Sequence, residues 1–224
     1  MSQASLPLVI FGAGQIAELA WFYFTHDSAY TPVAFTVDRE FIQSPELLGL
    51  PVVPFDELEQ RFPADQVHAF VALSYAKINA VRASKFEAVR SAGYRCVSYV
   101  SSRATVFPDL HVGENCFILE DNTIQPFVTI GDNVTLWSGN HIGHHSVIED
   151  NCFISSHVVV SGGVKIGANS FVGVNSTIRD HVSIGARCVI GAGSLIDRDA
   201  ESEGVYTAAA AERSRVPSSR LRSI

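Results

Sequence analysis

Val112-Gly-Glu-Asn-Cys-Phe-Ile118-Leu-Glu-Asp-Asn-Thr-Ile124-Gln-Pro-Phe-Val-Thr-Ile130-Gly-Asp-Asn-Val-Thr-Leu136 places an aliphatic side chain at every sixth residue. Stepping by six in both directions extends the column from Val106 through Ile142, Ile148, Ile154, Val160, Ile166, Val172, Ile178, Ile184 and Ile190 to Ile196, without a gap. An amphipathic helix repeats every 3.6 residues and a lone strand every 2. A period of six sustained this long is the signature of a repeat architecture, and residues 100–196 are expected to form a parallel β-helix. The unbroken register predicts a coil with no long protruding loop before Ile196.

Two neighbouring columns support this reading. Two residues before each aliphatic stand mostly small side chains, including Cys116, Ser146, Cys152, Ser170, Ser176, Cys188 and Ser194, and none is aromatic or charged. Three of the 4 cysteines fall in this column at equal intervals, which reads as core filler rather than redox or metal chemistry. Directly after the aliphatic, Gly113, Gly131, Gly143, Gly167, Gly173, Gly185 and Gly191 are expected to supply the permissive backbone of a tight corner.

The segment before the repeat has a different grammar. Leu6–Phe11 is an apolar run closed by Gly12-Ala-Gly14-Gln-Ile-Ala17, with a helix expected over 16–24. Further strands are expected over 33–37 (closed by Asp38), 68–73 and 95–100, with a helix start at 56–59 and a helix over 78–92 stopped by Gly93. Strands alternating with helices imply a small parallel sheet. The division is an α/β domain over 1–99, a β-helix over 100–200 and a tail over 201–224. The glycine turn is a G-x-G-x-x-A variant of the dinucleotide fingerprint. It reads either as a plain strand-to-helix turn or as a pyrophosphate site at a helix N-terminus. About 100 residues hold only half of a dinucleotide fold, which argues against NAD.

Composition excludes several classes. A net charge of -7 and a pI near 5.6 leave no basic stripe for nucleic acid. No apolar run is long enough for a membrane span or signal peptide, so a cytoplasmic protein without membrane attachment is expected.

The sixfold column resembles that of the hexapeptide-repeat acyltransferases, whose fold is a left-handed β-helix with three flat faces, three hexapeptides making one coil. A half-size α/β domain followed by such a helix resembles the sialic acid O-acetyltransferase and bacillosamine N-acetyltransferase group. The resemblance implies a homotrimer. It implies that acetyl-CoA is the acyl donor and a nucleotide-linked sugar, an amino sugar in particular, the acceptor. It also places the nucleotide in the small domain, with Gly12, Gly14 and Asp38 as contacts.

Five of the 8 histidines, His141, His144, His145, His157 and His181, crowd into the middle of the repeat. With three hexapeptides per coil, Gly162 lies one coil on from His144 at the same corner, inside Ser161-Gly-Gly163. Acyl transfer needs a base for the attacking amine or hydroxyl, which imidazole supplies, and a fixed donor for the oxyanion. In the family the base lies in a Ser/Glu-His-Asp/Glu-Cys motif followed one coil later by a glycine on the acyl-CoA. Gly143-His-His-Ser146 resembles that motif, so the resemblance makes His144 the base, with His145 in the acidic position. Gly162, Gly163 and Ala192 are then acyl-CoA contacts, and His141 and His157 sugar contacts. His145, Asn140 or a neighbouring subunit's carboxylate could orient His144. His157 is not a whole coil away from His144 and so belongs to a different corner, within reach only across a subunit boundary. His181 shares the His145 corner two coils away. Trp137 is expected to pack on a neighbouring subunit or on the N-terminal domain.

The family's closing Gly-x-Pro-Ala motif for the CoA adenine is replaced by Gly204-Val-Tyr-Thr-Ala, followed by Arg213, Arg215, Arg220 and Arg222. These arginines read as partners for CoA phosphates or as a frayed basic tail. Two other readings compete. One is a zinc enzyme resembling the γ-class carbonic anhydrases, disfavoured because no two of the clustered histidines are five apart. The other is a non-catalytic trimeric subunit that senses a nucleotide.

Overall fold

The structure is a computed structural model that describes residues 6–213 and 215–220 of the 224-residue chain. The N-terminal domain runs β1 (Leu6–Phe11), α1 (Gln15–His26), β2 (Tyr30–Val37), β3 (Glu46–Leu47), β4 (Leu50–Pro54), α2 (Leu58–Arg61), β5 (His68–Val71), α3 (Ala80–Ser91) and β6 (Arg95–Cys96). Its sheet has the order β3-β4-β2-β1-β5-β6, with β3 and β4 antiparallel and the other neighbours parallel. Alternation along β1 fills both faces. Leu8 and Ile10 join Phe24, Phe35 and Phe70 on one side, and Val9 and Phe11 join Val53, Leu58 and Phe86 on the other.

Two features depart from the sequence expectation. The β3–β4 hairpin has no clear sequence signal, because Pro51 and Pro54 argue against a strand; β4 tolerates them beside the sheet's edge. The single strand expected over 95–100 is two. Arg95–Cys96 pairs with β5, whereas β7 (Tyr99–Val100) pairs with Phe117–Ile118 and opens the β-helix. The step between them is held by Ser98, whose hydroxyl donates to the Gly113 carbonyl and accepts the Cys116 N–H, at 2.6 and 2.8 Å.

From His111–Val112 to Leu195–Ile196 a two-residue strand recurs every six residues, each pairing in parallel with the strand one coil away. This is the left-handed β-helix of hexapeptide repeats, with three sheets as its faces. The first face carries Thr123–Ile124, His141–Ile142, Val159–Val160, Thr177–Ile178 and Leu195–Ile196. The second begins with His111–Val112, and the third with β7. The second residue of each strand points inward, and Ile118 through Ile190 are fully buried or nearly so along that column. Cys116, Cys152 and Cys188 are buried with them as filler. Burial pushes the Cys116 and Cys152 thiols up to about 12, so they remain protonated. The last strand, Val205–Tyr206, pairs with Val189–Ile190, so the coil extends into the segment assigned to the tail.

The glycine column has a different cause from the one its sequence position suggests. Gly113, Gly131, Gly143, Gly167, Gly173, Gly185 and Gly191 are not the residues in the left-handed region. That conformation falls two positions later, at Asn115, Asp121, Phe127, Asn133, Gly139, His145, Asn151, His157, Gly163, Asn169, Asn175, His181, Arg187 and Gly193. The earlier glycines are set by the close approach of the next coil. A Cβ on Gly143 would lie 2.5 Å from the Ser161 carbonyl carbon, and one on Gly167 2.5 Å from the Ala186 nitrogen. Asparagine dominates the true turn column because its short side chain tolerates left-handed backbone.

The third face docks the N-terminal domain. Its outward Tyr99 and Phe117 pack with Phe24 and Phe70, and Trp137 joins the same cluster. Tyr75 sits on Phe153 and Phe171, ring centroids 5.0 and 4.8 Å away. Arg82 of α3 is buried without a carboxylate partner and donates to the Asn133, Asn151 and Cys152 carbonyls and to the Asn133 side chain. Burial lowers its pKa to about 10, so it stays charged at neutral pH. Among the described residues no helix is long and apolar enough to cross a membrane.

Candidate active site

The corner between the first and second faces is residues 143–146. Gly143 is forced by the packing just described, and Ser146 is buried, its hydroxyl donating to the Ser161 carbonyl and accepting the Val164 N–H. His144 and His145 remain, both exposed at the corner. His145 occupies the left-handed turn position, φ 59°, which turns its side chain toward its neighbour. The two Nδ1 atoms are 3.1 Å apart. One must donate and the other accept, so each ring sets the tautomer of the other. The His144 N–H donates to the Gln125 side-chain oxygen at 2.8 Å, which pins its backbone to the coil below. Phe127, one coil back and 64% exposed, tilts against His145 with centroids 4.7 Å apart.

The neighbour expected one coil on is in place. A Cβ on Gly162 would fall 2.6 Å from His144 Cε1 and 2.8 Å from Nε2, so the imidazole lies directly on the Gly162 Cα. The two glycines differ in what they can offer. The Gly163 N–H is already donated to the His144 carbonyl at 2.8 Å and is therefore not free for an oxyanion. Gly162 N–H, among the described residues, has no partner in the coil ladder.

The remaining histidines separate by position. His157 holds the left-handed turn at the corner between the third and first faces, against Gly139, and His181 holds the left-handed turn at the corner between the first and second faces, against Gly163. His141 is half-buried on the outside of the first face, between the His157 corner and the His144 corner. Within one chain the structure thus pairs His144 with His145 and Gly162 and leaves His157 at another corner, while His181 donates its N–H to the Gly162 carbonyl at 3.0 Å with its ring against Gly163. Asn140 does not orient His144: it is buried, donating to the Trp137 carbonyl and accepting the Val158 N–H. Ala192 lies on the His157 corner, packed over Gly173. Among the described residues no group of three or more His, Cys, Asp or Glu is placed to hold a metal ion. Arg213, Arg215 and Arg220 are exposed, and Arg222 lies outside the described residues.

A second site lies in the N-terminal domain. A cavity of about 610 Å³ opens at the C-terminal ends of β1 and β2, lined by Gly12, Gly14, Asp38, Phe41, Glu46 and Lys85 among others. The two glycines of the turn have different reasons. Gly12 has φ +137°, and a Cβ there would lie 2.6 Å from the Ala72 carbonyl oxygen, so packing alone demands it. Gly14 has ordinary backbone and open space around its Cβ position. It is the N-cap of α1 without a side-chain cap, at the positive end of that helix. Lys85 of α3 reaches Asp38 at 2.6 Å, a pair invisible in the sequence because it bridges two elements far apart along the chain.

The sixfold repeat matches the model of the bacterial transferase hexapeptide (six repeats), over residues 109–144, 128–162, 145–180 and 163–198. The matched span, residues 109–198, lies within the β-helix. The match to solved structures extends over both domains. Perosamine N-acetyltransferase from Caulobacter crescentus, in complex with CoA and GDP-perosamine, shares 25% identity at a TM-score of 0.81, covering 93% of this chain and 97% of that one. A histidine-to-asparagine variant of that enzyme gives 24%, 0.82, 93% and 96%. The acetyltransferase domain of PglB from Neisseria gonorrhoeae gives 22% identity and a TM-score of 0.81, covering 90% of this chain and 96% of that one. Among curated protein sequences none matches this chain. The perosamine N-acetyltransferase and the PglB acetyltransferase domain thus share this chain's fold across both domains.

Proposed function

We propose that this protein transfers an acetyl group from acetyl-CoA to the amino group of a nucleotide-linked amino sugar, with His144 as the base. The observation that carries the reading is the His144 imidazole resting on Gly162 with its Nδ1 held by His145. When His144 Nδ1–H donates to His145, Nε2 has a free lone pair. The substrate amine attacks the thioester carbonyl carbon and gives its proton to Nε2. The oxyanion that develops meets a backbone N–H, and Gly162 supplies the free one. Collapse of the tetrahedral intermediate breaks the C–S bond, and the thiolate recovers the proton from His144. Free CoA and the N-acetyl sugar leave.

His145 is a positioning residue in this scheme, standing where relatives of this type carry an acid. Gly12, Gly14 and Asp38 hold the nucleotide, its phosphates at the α1 N-terminus and near Lys85. The working form is a homotrimer. The exposed Val147, Val159 and Leu195 on the coil exterior supply apolar surface for it, and the His157 corner of one subunit faces the His144 corner of the next. His141 and His157 then contact the sugar, and Gly163 and Ala192 line the acyl-CoA path. The perosamine N-acetyltransferase was solved with CoA and GDP-perosamine, and the PglB domain with acetyl coenzyme A.

Incubation with acetyl-CoA and a panel of nucleotide-linked amino sugars, read by mass spectrometry, tests the reading. A gain of one acetyl group on the sugar is expected, together with its loss in a folded His144→Ala protein. Near-normal turnover by that variant would sink the assignment. Acetylation of hydroxyl-only sugars at an equal rate would overturn the choice of an amine.

A further inference from the structure

The cavity of the N-terminal domain carries a charge pattern that a nucleoside diphosphate does not by itself explain. Its lining includes three acids, Glu18, Asp38 and Glu46, and one base, Lys85, which is already tied to Asp38 at 2.6 Å. Phosphates favour the opposite balance, and a carboxylate in the lining suits a part of the ligand that offers donors.

The sheet order locates that part. Crossing the sheet from β1 through β2 and β4 to β3, the cavity lining passes from the glycine turn to Asp38 and then to Phe41, Gln43, Ser44 and Glu46. Adjacent strands are about 4.8 Å apart, so β3 lies roughly 14 Å from β1. With the phosphates at the α1 N-terminus and an acid at the end of the second strand reaching the ribose, the base comes to rest over the β3–β4 hairpin. Phe41, in the segment that joins β2 to β3, lines the cavity and is 63% exposed, an apolar face on which a base can stack. Glu46 starts the hairpin strand β3, opposite Pro51 of β4, and lines the same cavity.

An ionised carboxylate accepts hydrogen bonds and donates none. Of the common bases only guanine presents two adjacent donors, N1–H and the 2-amino group, on its pairing edge. Uracil and thymine offer one N–H between two carbonyls that a carboxylate repels. Adenine and cytosine offer one amino group beside an acceptor nitrogen. We infer that this cavity selects a guanosine diphosphate-linked sugar, with Glu46 reading the guanine N1–H and 2-amino edge. The inference rests on the proposal that the cavity holds the nucleotide.

Titration calorimetry on the full-length protein with GDP, IDP, UDP, dTDP, CDP and ADP tests it. GDP is expected to bind roughly tenfold or more tightly than the pyrimidine diphosphates, the scale of one two-point base contact. IDP, which lacks only the 2-amino group, should fall between. Glu46 is exposed, so Glu46→Gln should fold as the parent does, which circular dichroism checks. Its GDP affinity should fall about tenfold while UDP binding stays unchanged. Tighter binding of UDP or dTDP than of GDP, or equal binding of GDP and IDP, overturns the guanine assignment and leaves the nucleotide cavity standing. No binding of any diphosphate overturns both.

Discussion

Three histidines of the β-helix rest against a glycine on a neighbouring coil, and only one of the three is the base we propose. His157 and His181 occupy the left-handed turn position and lie against Gly139 and Gly163 one coil earlier, which are themselves left-handed at φ 78° and 68°. There both residues follow from the turn: glycine and histidine hold the same column that asparagine holds elsewhere. His144 reverses the arrangement. Its backbone is ordinary, it rests on a glycine one coil later, and that glycine is also outside the left-handed region. No turn requires Gly162. What a side chain at 162 would collide with is the His144 ring. A glycine without a backbone reason, beneath a histidine without a turn role, separates the pair we propose to be reactive from the structural ones.

The largest effect that would break this comparison is on His144. His144→Ala should lower turnover by about 10² to 10⁴, the usual contribution of a general base, with melting temperature and oligomeric state unchanged. His145→Gly suits the left-handed turn and removes only the partner ring. It should reduce kcat by roughly ten- to a hundredfold with acetyl-CoA KM unchanged, and His145→Asp should restore most of the loss by returning an acceptor to His144 Nδ1. A purely structural His145 would respond in the reverse order, with Gly harmless and Asp no better.

The glycines sharpen the contrast. Gly162→Ala places a methyl 2.6 Å from His144 Cε1 on a backbone that accepts alanine, so the ring must move. Its cost should appear in kcat, about tenfold or more, with little change in stability. Gly139→Ala meets the His157 ring at 2.5 Å with φ 78°, and there the cost should appear in stability, about 1–2 kcal/mol by denaturant unfolding. If both variants lose stability equally and activity equally, the two corners are alike.

The legibility of these features in the sequence follows from how local each one is. The coil register is readable because every repeat buries its own aliphatic against copies of itself, so position alone fixes depth. The pairing of His144 with Gly162 follows from the same regularity. The reason for the glycine column is not readable in this way, since a close approach between coils and a positive φ look identical in one sequence. The regular spacing of Asn115, Asn133, Asn151 and Asn169 is the signal that marks the true turn column. The split at Ser98, the Lys85–Asp38 pair and the burial of Arg82 are hidden because each depends on tertiary packing: how the α/β domain closes on itself or lies on the third face. The β3–β4 hairpin is hidden by its prolines, and with it the end of the cavity that carries Glu46.

The smallest expected effect belongs to the structural corners. Asparagine is the commonest occupant of the turn column, so it preserves the backbone while removing the imidazole. His181→Asn should leave both turnover and stability within about 0.5 kcal/mol of the parent, because asparagine keeps the turn and the backbone bond to the Gly162 carbonyl. His157→Asn should match it in stability and differ in activity. If neighbouring subunits bring the His157 corner to His144, the loss should be severalfold, confined to the sugar KM, and absent under conditions that dissociate the oligomer without unfolding it. A His157→Asn enzyme with parental kinetics would reduce His157 to what His181 already is, a turn residue, and leave the reactive corner to His144, His145 and Gly162 within one chain.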